Sequence, residues 1–67
     1  MNETELAVEL TRHRLTVPKA ADAIGISKKA FYAKMRAQSQ FKQAEIQKLK
    51  NLLRLSDERT MEIFFAD

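Results

Sequence analysis

The chain has no cysteine and no tryptophan, and its 67 residues include one glycine, one proline and one histidine. Without cysteine there is neither a disulfide framework nor a thiolate zinc site. One histidine leaves little from which to build another metal site, so no metal or cofactor is expected. So few turn-forming residues argue against an all-β fold, which must reverse direction many times. The longest unbroken apolar run is Ile63-Phe64-Phe65-Ala66, far short of the ~20 residues that cross a bilayer. No basic stretch followed by an apolar one opens the chain in the manner of a signal peptide. The expectation is a cytoplasmic protein without membrane contact. A chain this short forms one small domain, residues 1–67, and buries only about 60% of its unfolded surface. That disfavours a deep, dry pocket for a small-molecule substrate. The lone His13 has no nucleophile at a readable spacing, and no glycine-rich phosphate loop is present. An enzyme is not expected.

What the chain does contain is Ala, Leu, Lys, Glu, Gln and Arg, the good helix formers. The class is all-α. The net charge is only +3, but it is unevenly spread. From Thr11 to Lys50, ten cations face two acids, Asp22 and Glu45, a balance of +8. The two ends together hold two cations against seven acids, a balance of −5. A basic middle between acidic ends fits a polyanionic partner. A merely solvated lysine-rich surface is the plain alternative.

Helix boundaries can be placed from capping residues. Asn2 precedes a helix whose first turn carries Glu3 and Glu5, suited to the positive end of the helix dipole. Leu6, Ala7 and Leu10 are expected on its inner face, with Val8 outside, and the helix should stop near Arg14. Thr16 caps a second helix with Pro18 in its first turn and a narrow stripe of Val17, Ala20, Ala21 and Ile24. Gly25 ends it, and Ser27 caps a third helix at once. In that third helix Phe31 and Met35 face the core, while Lys29, Tyr32, Ala33 and Arg36 face outward. Residues 37–42 form a polar connection anchored by Phe41. A fourth helix from about Gln43 carries Ile46, Leu49, Leu52 and Leu53, and Ser56 caps a fifth with Met61, Phe64 and Phe65 as its apolar face. Adjacent aromatics cannot both point inward on a helix. Of Phe64 and Phe65, one is expected to plug the core and the other to contact a second copy of the chain.

Two helices meeting at a turn of three to four residues form a helix-turn-helix. Ala21 is small where the second helix crosses, Gly25 permits the reversal, and Ile26 sits under the corner. The segment Pro18-Lys-Ala-Ala-Asp-Ala-Ile-Gly-Ile-Ser-Lys-Lys-Ala-Phe-Tyr resembles the helix-turn-helix of the lambdoid phage repressor and Cro family, the xenobiotic-response-element type. The resemblance runs from about Leu6 to Phe65, and the tail is similar to small Cro-like regulators from phages of Gram-positive hosts. It implies a compact five-helix fold with the motif at residues 17–36, a homodimer on double-stranded DNA and an operator of two half-sites. It also implies that Lys28, Lys29, Tyr32 and Ala33 read bases. Lysine pairs with guanine O6 and N7, and Ala33 or the Tyr32 ring meets a thymine methyl. Lys19, Ser27, Lys34, Arg36 and Lys42 are the expected backbone contacts, and Phe64 and Phe65 the expected dimer contacts.

The chain departs from the family at two places. Val17-Pro18 stands where the family usually has a glutamine that grips a phosphate and braces the reading helix. Lys34 stands where many members have an apolar anchor, a role that Met35 is expected to take by a slight rotation of that helix. Two other functions fit the same fold. One is a protein-interaction module, such as an antitoxin or antirepressor, which has no need of the basic middle. The other is a recombination-directionality factor, which the sequence does not separate from a repressor. The length favours a Cro-type protein, or else an excised N-terminal domain of a larger repressor.

Overall fold

Asn2, Thr16, Ser27 and Ser56 each stand immediately before a helix in the computed structural model, which describes residues 1–65. The last two residues of the expected domain lie outside that range. The helices are α1 (Glu3–Arg12), α2 (Val17–Ile24), α3 (Lys28–Met35), α4 (Gln43–Leu52) and α5 (Asp57–Phe64), with no strand among the described residues. The four caps accept backbone N–H groups from Glu5, Lys19, Ala30 and Arg59 at 3.0–3.4 Å. α4 starts differently. Its preceding residue, Lys42, has no side-chain acceptor, and the Glu45 carboxylate instead reaches back to the Lys42 N–H at 2.8 Å.

The first four helices all stop on a left-handed residue: Arg14 (φ 55°), Gly25 (φ 80°), Ala37 (φ 60°) and Arg54 (φ 53°). The next N–H then folds back onto the helix, Leu15 to Leu10, Ile26 to Ala21, Gln38 to Ala33 and Leu55 to Lys50, at 2.9–3.0 Å. Only one of these stops has a glycine to announce it. At the other three, a residue with a Cβ takes a conformation that costs about 1–2 kcal/mol. Ala37→Gly should therefore stabilise the domain by about 1 kcal/mol, and Gly25→Ala should destabilise it by a similar amount. A Cβ at Gly25 meets no atom within 4 Å, so that cost is backbone conformation alone. Urea unfolding of the two variants checks it; shifts of the same sign would refute it.

α2 packs against α3 and α4, and α1 against α5. Ala20 and Ala21 are fully buried, so the close approach on α2 expected from their size is present. Leu6, Phe31, Leu49, Leu53 and Ile63 form the innermost layer. Phe41 anchors the 37–42 connection as expected, stacking edge-on between Phe31 (5.4 Å) and Phe64 (5.6 Å). The Asn2 N–H donates to the Ile63 carbonyl at 2.7 Å, which ties the start of α1 to the end of α5.

Two inner faces differ from expectation. On α1, Ala7 is exposed and Glu9 takes the inner place beside Leu6 and Leu10. The Glu9 carboxylate is neutralised there by the Arg59 guanidinium on α5, at 2.8 Å. On α5 the inner residues are Thr60, Ile63 and Phe64, not Met61, Phe64 and Phe65. Thr60 goes inside because its hydroxyl donates to the Ser56 carbonyl at 2.8 Å, leaving no unpaired polar atom. Met61 and Phe65 are left outside, 57% and 55% exposed. Phe64 is therefore a core residue with its ring against Phe41 and has little surface left for the expected dimer contact; of the pair only Phe65 leaves its side chain exposed.

Candidate nucleic-acid interface

The three residues 25–27 connect α2 to α3. The corner is held by the Ile26 N–H donating to Ala21 and by the Ser27 hydroxyl, which accepts from Ala30. Phe31 and Met35 are buried, as the pattern requires, and they fix which side of α3 faces away. At 100° per residue the direction opposite the core runs through Lys29 and Arg36, flanked by Tyr32 and Ala33. Lys29, Tyr32 and Arg36 are exposed and Ala33 is half-buried. Lys28 falls on the same side of the helix as Met35, seven residues on, and is exposed because it occupies the first helical position. The Arg36 guanidinium lies over the Tyr32 ring, 5.6 Å from its centroid, so each side chain limits the other's freedom.

Lys34 belongs elsewhere. It is buried, and its ammonium donates to Glu45 at 2.5 Å and lies 6.0 Å from the centre of the Phe41 ring. A phosphate cannot take this ammonium without breaking a buried ion pair, so Lys34 is removed from the expected backbone contacts. Met35 is buried in the core, as expected of an anchor. Lys34 keeps the inward position itself, its stem packing inside and its charge offset from α4. Burial pushes the Glu45 carboxyl up, but the Lys34 hydrogen bond, the Lys42 N–H and the charges of both lysines outweigh this and hold it below its ordinary value of 4.5. The pair fixes α3 against α4 and so fixes the direction in which Lys29 points. Sequence reasoning misses Glu45 as part of the site. Its third place in α4 hints at a cap, but nothing local points to Lys34, eleven residues earlier.

Several of the other acids are similarly engaged. Arg59 is held by Glu9 at 2.8 Å and Glu5 at 3.1 Å, and by Glu62 more loosely at 3.8 Å. The hydrogen bonds that Arg59 donates to Glu9 and then to Glu5 raise its pKa further. Lys50 bonds to Asp57, which lowers that carboxyl. No acid occurs in the sequence between Asp22 and Glu45, and Glu45 is bound to Lys34. Within the described residues Lys19, Lys28, Lys29 and Arg36 form no salt bridge. Lys19 and Lys42 are exposed at the starts of α2 and α4, and Ser27, also exposed, is occupied in capping. Of the residues expected to meet DNA, Lys19, Ser27, Lys28, Lys29, Tyr32, Arg36 and Lys42 are exposed and Ala33 is half-buried.

Among the described residues no helix is long and apolar enough to cross a membrane. No family model, no curated protein and no solved structure matches the chain.

Proposed function

We propose that this chain is a sequence-specific DNA-binding transcriptional regulator of the Cro type, with α2 and α3 as its helix-turn-helix. It acts by occupying an operator and blocking polymerase or a competing repressor, without catalysis or cofactor. The observation that carries this reading is the outward face of α3. Lys29, Tyr32 and Arg36 are exposed there, with Lys28 exposed at the start of the helix, and its inner side is locked by Phe31, Met35 and the Lys34–Glu45 pair. A rigid helix bearing donors, with no acid near it in the sequence, has the chemistry of a major-groove probe. Lys19, Arg36 and Lys42 supply phosphate contacts, and Ser27 leaves the start of α3 free to present backbone amides to one. A homodimer on DNA is part of the reading, with Phe65 and its neighbour Met61 as contacts on α5.

Selection from a random duplex library at moderate salt tests it. The expected result is an enriched inverted repeat with half-sites about one helical turn apart. Absence of any enriched sequence would refute operator recognition. The exposed Met61–Phe65 pair would then favour the protein-interaction reading. Arg36→Ala should weaken binding to every duplex and reduce the slope of log K against log[salt] by about one. An unchanged slope would remove Arg36 from the phosphate contacts.

A further inference from the structure

We infer that each half-site of the operator is centred on guanine read in the major groove by Lys29 with Lys28, and that neither adenine nor cytosine is specified by α3. The inference rests on the DNA-binding reading above and goes further, from where the helix sits to what it discriminates. Base identity in the major groove is a pattern of donors and acceptors. Guanine shows two acceptors, O6 and N7. Adenine shows an acceptor beside a donor, and cytosine shows a donor. To specify adenine a protein needs a side chain that both donates and accepts, such as Asn or Gln. To specify cytosine it needs an acceptor, such as Asp or Glu.

α3 carries none of these four residue types: it reads Lys-Lys-Ala-Phe-Tyr-Ala-Lys-Met. Its exposed charged groups, Lys28 at the helix start, Lys29 and the following Arg36, are donors only. The hydroxyls do not change this. One lone pair of Ser27 is spent on the Ala30 N–H at 3.1 Å. The Tyr32 phenol is one rotating group on a ring restrained by Arg36, and it serves a donor or an acceptor equally. Lys34, the other cation of the helix, is held by Glu45 and takes no part. The methyl of Ala33, one turn beyond Lys29 on the same side, adds apolar contact with a thymine methyl and no hydrogen bond.

The experiment starts from the duplex recovered by library selection with the full chain. Each guanine of the recovered half-site is replaced in turn by 7-deazaguanine, which lacks the N7 acceptor, and by inosine, which keeps O6 and N7 but lacks the minor-groove amino group. The expected result is a guanine at the most constrained position, a loss of about tenfold or more with 7-deazaguanine there, and little change with inosine. Lys29→Gln, an exposed change that leaves the core untouched, should move the preference at that position from guanine to adenine. A recovered site whose most constrained base pairs are all A·T, with no guanine on either strand, would overturn the inference and leave operator recognition standing. So would sensitivity to inosine but not to 7-deazaguanine. No recovered site at all would overturn both.

Discussion

Glu45→Ala is expected to remove about 3 kcal/mol of stability, because it leaves the Lys34 ammonium buried without its counter-charge. The lower end of the range for broken buried pairs applies, since about a tenth of each side chain still meets water. The change also takes away the carboxylate that accepts the Lys42 N–H at the start of α4. A core of this size rarely supplies more than about 3–5 kcal/mol, so the variant should keep no more than about 2 kcal/mol of stability at 25 °C. Adding Lys34→Met should restore much of the loss, because the second change removes the stranded charge and keeps an apolar stem. Urea denaturation of the two variants is the measurement. If Glu45→Ala alone costs under about 1 kcal/mol, the pair is no stronger than a surface ion pair and does not brace α3.

The same contact sets an acid limit. The Glu45 carboxyl is held below its ordinary value of 4.5 in the folded chain, so its contribution is complete above that value. It is lost as the pH falls through the lower folded value. Asp57, lowered by Lys50, acts in the same direction. Thermal midpoints should therefore decline as the pH falls from about 5 to 3. Glu45→Gln keeps an oxygen for the Lys42 N–H but has no carboxyl to titrate, so its profile should be flatter over that window. A variant profile parallel to the parent's would assign the acid limit to other carboxylates.

The starts of the helices were legible because capping is local chemistry. Asn2, Thr16, Ser27 and Ser56 announce themselves by residue type and by the first-turn residues after them. The inner stripe of α2 and the Phe31–Met35 pair of α3 were legible for the same reason, since periodicity within one helix is enough to place them. What was not legible depends on residues far apart in the chain. Glu9 faces inward only because Arg59 meets it from fifty residues away, and Lys34 is buried only because Glu45 arrives on the neighbouring helix. In both cases a residue whose charge argues for water sits at an inward position of its helix and is held there by its partner. Thr60 shows a subtler version. A polar residue displaced Met61 and Phe65 from the inner face of α5 because its own backbone satisfied it. The left-handed ends at Arg14, Ala37 and Arg54 had no side-chain signal at all. The direction of α3 was readable from its apolar pair, whereas the brace that holds that direction was not.

Lys28→Ala combined with Lys29→Ala is the corresponding test of function, and it should separate recognition from simple charge attraction. Each lysine that donates to a guanine is worth about 1–3 kcal/mol of discrimination, so the double variant should lose a hundredfold or more on the selected duplex. On a scrambled duplex the loss should be much smaller, because non-specific binding depends on the total cationic surface, to which Lys19, Arg36 and Lys42 still contribute. The ratio of specific to non-specific affinity should therefore collapse towards one. Both side chains are exposed and make no salt bridge within the described residues, so the fold should be unaffected, and an unchanged urea midpoint verifies this. Equal losses on both duplexes would place Lys28 and Lys29 on phosphates. The reading of bases would then have to pass to Tyr32 and Ala33, whose single hydroxyl and methyl discriminate weakly. An operator regulator built on so little would need sequence-dependent DNA shape for most of its specificity, and its variants should then respond to flanking A-tracts more than to any single base pair.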